Sequence, residues 1–182
     1  MGGSMSSVVI SGDTSGAITL SAPAVSGTNT ATLPAATGTV MVSGNMPAFA
    51  SYSGGGTSVA TATVTKLSFD TIIFDTANCY STTNYRFTPN VAGYYMFNAV
   101  TRFGSMTASQ CYLRIYKNGS TFNNGGGGGV TAGYVWPTVN WLVYMNGTTD
   151  FVEVYAYQTS GTTQSSDYTN VYQFTGCLVR TA

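Results

Sequence analysis

The sequence predicts an all-β chain, built as a two-sheet sandwich or jelly roll, on three observations. From Met46 onward, runs rich in Tyr, Phe and β-branched residues recur at short spacing, as strands of such a fold do. Apolar residues nowhere keep the three- and four-residue spacing of an amphipathic helix. Asn-Gly pairs, which tolerate the positive φ angles of a tight hairpin, stand between runs at Asn118-Gly119 and Asn146-Gly147.

Taken in order, the chain begins with an arm over residues 1–45. Short apolar runs (VVI, AITLSAP, ATLP, TVMV) alternate there with turn clusters (SGDTSG, SGTNT, AATG). No run is long enough to stand alone, so the arm must pair with copies of itself, with another surface or, as an ordinary edge hairpin, with the main domain. Val8, Val9, Ile10, Ile18 and Leu20 are its candidate anchor residues for trimerisation or particle attachment. Gly44, Asn45 and Pro47 mark the boundary to a head over 46–182.

The head offers the strand candidates VTKLSFDTIIF, YRF, GYYMFNAVTRF, CYLRIYK, VNWLVYM, FVEVYAYQ and VYQFTGCLVR. Several are apolar on both faces. Because successive strand residues point to opposite sides, Tyr95 and Phe97 line one face of GYYMFNAV while Tyr94 and Met96 line the other. Trp141 and Val143 likewise oppose Tyr144, and Tyr155 and Tyr157 add a further aromatic row. One core cannot cover both faces, and each large side chain left in water forgoes about 1.5–3 kcal/mol, which predicts an obligate oligomer. Alternation alone does not decide which parity is core and which is interface.

Composition narrows the function. The chain has 182 residues, 7% charged residues, a formal net charge of +0 and no histidine. That leaves no electrostatic footprint for nucleic acid. No apolar run approaches the roughly 18–20 residues of a membrane span, and MGGSMSSVVI lacks the basic start and long apolar core of a signal peptide. NGS at 118–120 and NGT at 146–148 fit a glycosylation pattern, but turn chemistry explains both. Cys79, Cys111 and Cys177 read as buried reduced thiols.

Read together, MPAFASY at 46–52, YRFTPNVAGYYMFNAV at 85–100, LRIYKNGS at 113–120, WLVYMNGTTDFVEVYAYQ at 141–158 and FTGCLVR at 174–180 resemble the C1q-like globular head, the tumour-necrosis-factor-type jelly roll. Pro-Ala-Phe, Phe-x-Pro-x-x-x-Gly-x-Tyr-x-Phe, Lys-Asn-Gly and Phe-x-Gly-x-Leu stand in that family's order, from Pro47 to Arg180. The resemblance implies a C1q-like jelly-roll trimer, in which one face of YYMFNAV fills the sandwich and the other packs on neighbouring subunits. Calcium often sits near the apex of such heads, but Asp70, Asp75, Asp150, Glu153 and Asp167 form no cluster of carboxylates, so neither metal nor cofactor is expected. The arm text SGAITLSAPAVSGTNTATLPAATGTVMVSG resembles the ITL-x-AP…TLP-x-x-x-GT repeats of bacteriophage tail-fibre and other appendage proteins.

Catalysis finds no foothold in the sequence. Nucleophilic Ser or Cys normally needs a base beside it, most often histidine. The acid pairs Asp150/Glu153 and Asp70/Asp75 have spacings that place their members on opposite strand faces. The GGGGG run at 125–129 lacks the Gly-Lys-Ser/Thr ending of a phosphate loop and reads as a long loop between strands. Tyr134, Trp136 and Pro137 beside it, with Gln164 and Tyr168 in the turn-rich stretch 159–170, are candidates for receptor contact. Arg114 and Glu153 suggest a cross-strand or intersubunit pair.

These readings make the chain a non-enzymatic homotrimeric virion protein, assembled in a host cytoplasm. It would be a short tail fibre whose head binds a host surface glycan or protein and whose arm holds other virion proteins. The alternatives are a capsid decoration or head-fibre protein and a soluble bacterial carbohydrate- or protein-binding module.

Overall fold

The computed structural model describes residues 7–25, 27–32, 35, 37–38, 40–106, 109–126, 129–130, 133–166 and 172–182. The chain divides into two compact units, Met1–Gly38 and Thr39–Ala182. This boundary falls ahead of the one expected at residue 45, and Met41 already packs against the core of the second unit.

In the first unit, β1 (Ser7–Ser11) and β2 (Ala17–Ser21) form an antiparallel hairpin. Val8 pairs with Leu20 and Ile10 with Ile18, so four aliphatic side chains share one side, while Val9 and Thr19 take the other. All four are more than half exposed. A two-stranded hairpin by itself is at best marginally stable in water.

The second unit runs β3 (Ala48–Tyr52), β4 (Ser58–Val59), β5 (Thr65–Lys66), β6 (Thr71–Asp75), β7 (Tyr80–Ser81), β8 (Arg86–Phe87), β9 (Gly93–Val100), β10 (Phe103–Met106) and β11 (Ser109–Lys117). It continues with β12 (Ser120–Asn124), β13 (Gly129–Val130), β14 (Gly133–Val135), β15 (Thr138–Met145), β16 (Val152–Gln158), β17 (Gln164–Ser165) and β18 (Gln173–Thr181). One sheet has the order β15-β9-β18-β3-β6. The other has β12-β11-β16-β8-β7, with β13 joining β11 and β5 joining β16. The pairs β10-β14 and β17-β4 stand apart from these two sheets.

Two expected strands break. VTKLSFDTIIF divides into β5 and β6, which join opposite sheets, because Leu67 and Phe69 turn into the core between them. GYYMFNAVTRF divides at Thr101 and Arg102, after which β10 leaves β9 to pair with β14.

Aromatic packing joins the sheets. Phe49 on β3 stacks on Phe87 of β8 with centroids 4.5 Å apart and meets Phe174 of β18 edge-on at 4.9 Å. Phe87 also packs against Tyr95 and Phe97, both 0% exposed. Buried Tyr80 donates its hydroxyl to the Phe69 carbonyl at 2.8 Å, and burial raises its phenol pKa. The rings pass directly over Gly176, where a Cβ would lie 2.6 Å from Phe97 Cδ1 and 2.7 Å from Phe49 Cε1.

Only one Asn-Gly pair makes a hairpin. Asn118 and Gly119 have φ of 53° and 76° and join β11 to β12, with Lys117 opposite Ser120. Asn146 and Gly147 instead carry the chain from one sheet to the other, since β15 pairs with β9 and β16 with β11. Asn146 Oδ1 accepts the backbone N–H groups of Thr148, Thr149 and Asp150, which closes the corner without strand pairing.

Asp150 locks that corner to the hairpin, accepting from Asn118 Nδ2 at 2.7 Å, the Asn146 N–H at 3.0 Å and Lys117 Nζ at 2.9 Å. Burial alone would raise the Asp150 carboxyl, but these hydrogen bonds together outweigh it and hold it below the usual carboxylate range.

Two outcomes test this packing. Gly176→Ala overpacks the ring stack and costs about 1–3 kcal/mol in urea unfolding; an unchanged midpoint would mean that the rings yield freely. Because the folded Asp150 pKa is depressed, its contribution is present above the unfolded value near ~3.9 and is lost as pH falls through the folded value. The stability gap between wild type and Asp150→Asn is therefore widest near neutral pH and narrows below about pH 4, as read by unfolding at several pH values.

Candidate interaction surfaces

The five-stranded sheet bears a row of large apolar side chains on its outward face, between the Asn98–Asn140 pair and Arg180. On β9, inward Tyr95, Phe97 and Ala99 are fully buried, whereas outward Tyr94 and Met96 are 39% and 43% exposed. Cross-strand registry places Leu142 beside Met96, Tyr144 beside Tyr94 and Cys177 beside Met96 from the other flank. Phe74, paired with Ala50, extends the same face. Leu142, Tyr144 and Phe74 are all exposed. Tyr94 and Tyr144 rings lie 5.5 Å apart, so the face is already ordered within one chain.

This geometry sorts the residues expected at an interface or core. Tyr95, Phe97 and Val143 are core, while Tyr94, Met96 and Tyr144 face outward. Trp141 shares the inward parity of Val143 yet is 49% exposed, because β15 is the edge strand and a side chain that long overhangs the open margin. Tyr155 and Tyr157 belong to the other sheet, where Tyr155 stacks on Tyr116 at 3.9 Å and Tyr157 on Tyr112 at 5.1 Å.

Cysteine placement also differs from expectation. Cys79 and Cys111 are buried, and burial pushes the Cys111 thiol up to about 12. Cys177 is exposed, because its register with Met96 and Ala48 puts it on the outward face.

A second surface gathers around β10 and β14. Phe103 pairs with Val135, and both point inward, which turns Arg102, Tyr134 and Trp136 outward. Tyr134 and Trp136 are 56% and 54% exposed, with ring centroids 6.1 Å apart. The Arg102 guanidinium lies 4.5 Å from the Tyr134 centroid and 5.8 Å from that of Tyr172. Trp136 Nε1 donates to the Tyr172 hydroxyl at 3.3 Å. Arg102 and Tyr172 are distant in sequence from the Gly-rich run, so only the β10-β14 pairing reveals that they complete the cluster.

Pro137 is buried, and its carbonyl accepts the Thr101 N–H at 3.3 Å, so it fixes the end of this strand pair and presents no surface. Gln164 spends its amide on Ser160 Oγ and Thr162 Oγ1 within its own loop. Tyr168 lies outside the described residues. Among the described residues, no group of His, Cys, Asp or Glu gathers that could hold a metal ion.

No family model matches the sequence, and no curated protein does. Solved structures do. The globular domain of zebrafish complement 1qA superposes with a TM-score of 0.53 at 15% identity, over 75% of this chain and 99% of that one. Murine APRIL at pH 8.0 gives 0.53 at 11% identity, over 73% and 98%. PRD1 vertex protein P5, at 17% identity over 74% and 96%, scores 0.48, too slight a likeness to weigh. The fold is thus the C1q/TNF-like jelly roll.

Proposed function

We propose that this chain is a homotrimeric structural protein of a bacteriophage particle, a short tail fibre whose head trimerises through the outward face of the five-stranded sheet. The observation that carries the reading is the outward row Tyr94, Met96, Leu142 and Tyr144, large side chains left in water by a single chain whose inner core is already complete. Covering that row with the same row of neighbouring copies recovers the burial energy and needs no partner of different chemistry. Registry sets Arg180 beside Tyr94 and Asn98 opposite Asn140, so the apolar row is flanked by polar side chains as the centre of an interface is by its rim.

The virion assignment draws support from the arm. Its text resembles phage appendage repeats, and its hairpin presents Val8, Ile10, Ile18 and Leu20 together on one side. Asp13 is the only charged residue before Lys66, so the arm suits permanent insertion among other virion proteins. On the head, the cluster of Arg102, Tyr134, Trp136 and Tyr172 combines exposed rings with a cation, a combination suited to host glycan or protein recognition. The chain carries out no chemistry in this role and is located in the virion.

Wild-type protein sediments as a trimer at low micromolar concentration, and Met96→Glu combined with Leu142→Glu yields a monomer whose folding stability changes by less than about 1 kcal/mol, since both sites are exposed within one chain. A monodisperse wild-type monomer overturns the trimer. Deleting residues 1–38 leaves a folded trimer that no longer attaches to particles; the cut stops short of Met41, which packs on the head core. Cryo-electron microscopy of whole particles then separates the two virion roles: density at the tail supports the fibre, and density on the capsid lattice makes the chain a decoration protein.

A further inference from the structure

The opposite sheet bears a different outward face. On β11 the inward residues Cys111, Leu113 and Ile115 are fully buried, which turns Tyr112, Arg114 and Tyr116 outward. On β16 buried Val152, Val154 and Ala156 likewise turn Glu153, Tyr155 and Tyr157 outward, with Tyr112 opposite Tyr157 and Arg114 opposite Tyr155. Lys66 of β5 and Arg86 of β8 join the same side, beside inward Leu67 and Phe87. In a chain of zero net charge, three of six cations thus share a face with one acid among the described residues.

That acid is not available to Arg114. Glu153 is bound by Lys66 Nζ at 2.9 Å and by the Tyr155 hydroxyl at 3.2 Å, so the expected Arg114–Glu153 pair does not form; registry sets Glu153 opposite Tyr116 instead. Arg114 donates from Nη2 to the Tyr112 hydroxyl at 2.8 Å and lies 5.0 Å and 5.6 Å from the Tyr112 and Tyr157 centroids. Its Nε is buried without a hydrogen-bond partner, and among the described residues it forms no ion pair. A guanidinium held beside rings on an outward face with no counter-ion is set to receive an anion through its remaining Nη donors.

We infer that this face binds a carboxylate-bearing sugar, with the Arg114 guanidinium taking the carboxylate and the Tyr112–Tyr157 pair beside it meeting the sugar hydroxyls. The site lies in mid-sheet, where β11 and β16 have neighbours on both flanks, so no free backbone edge exists for a peptide to pair with. Nucleic acid would need a run of cations and open ring faces, whereas these rings are closed on one another in pairs. A uronic-acid type of sugar asks for one cation and several hydroxyl partners; with Lys66 paired to Glu153 and Arg86 lying over the Phe151 ring, Arg114 is the cation the face leaves for it. The inference requires neither the trimer nor the loop cluster.

Calorimetric titration of the full chain at low salt with trigalacturonate, its methyl ester and triglutamate tests it. Trigalacturonate binds; the ester, and trigalacturonate with Arg114→Gln, bind at least about tenfold more weakly, the loss of one charge-assisted contact. Arg114→Lys, which keeps the cation, falls between. Should Arg114→Gln fail to fold, Tyr157→Phe retains the stacked ring and removes one hydroxyl, and unaltered binding there overturns the site. Absence of trigalacturonate binding overturns it too, as does equal binding by Arg114→Gln. Triglutamate binding as tightly as trigalacturonate would overturn the sugar and make the ligand an acidic peptide.

Discussion

The two sheets are held together by rings stacked on a missing side chain. Phe49 fits between Phe87, Phe97 and Phe174 because Gly176 leaves room where any Cβ would collide with Phe97 and with Phe49 itself. Everything else in the head follows from that inward commitment. Once Phe49, Tyr95, Phe97 and Phe174 are spent on the core, strand alternation fixes what faces outward on β3, β9 and β18. The outward character of each sheet is therefore a residue of the core's design, written in the positions that the core could not use.

Much of this was legible in the sequence. The all-β class followed from the spacing and composition of the runs, and Phe-x-Pro-x-x-x-Gly-x-Tyr-x-Phe placed the central strand at β9. Alternation showed that Tyr94 and Tyr95 must part company but carried no information on which goes inward, because tyrosine suits both environments. Registry resolves that choice: Phe97 faces Gly176 and Phe174 faces Ala99, so the odd-numbered side of β9 is the one that meets the rings. The two Asn-Gly pairs show the limit of local chemistry. Both favour a tight reversal, yet only at Asn118 do the flanking strands belong to the same sheet; at Asn146 the side chain caps an inter-sheet corner.

The surfaces were less legible than the core. Tyr134 and Trp136 stood out as aromatics next to a glycine run, but Arg102 and Tyr172 reach them only through the β10-β14 pairing and the return of the chain before β18. Arg114 looked like a partner for Glu153 because both lie on adjoining strands. The short strand β5, too brief to be recognised inside VTKLSFDTIIF, delivers Lys66 to Glu153 and leaves Arg114 among tyrosines. A two-residue strand thus decides the electrostatics of a whole face.

The charge distribution then argues against a uniform surface. Around Tyr94, Met96, Leu142 and Tyr144 the outward side of one sheet is apolar, whereas the other sheet collects Lys66, Arg86 and Arg114 over paired tyrosines. Desolvating the first recovers hydrophobic energy, while desolvating the second would strand a guanidinium without a counter-ion. Two faces with opposite responses to loss of water cannot serve one kind of contact. The apolar side suits permanent burial against like surface, and the tyrosine–arginine side suits a hydrated, exchangeable anionic ligand that replaces water with hydrogen bonds of its own.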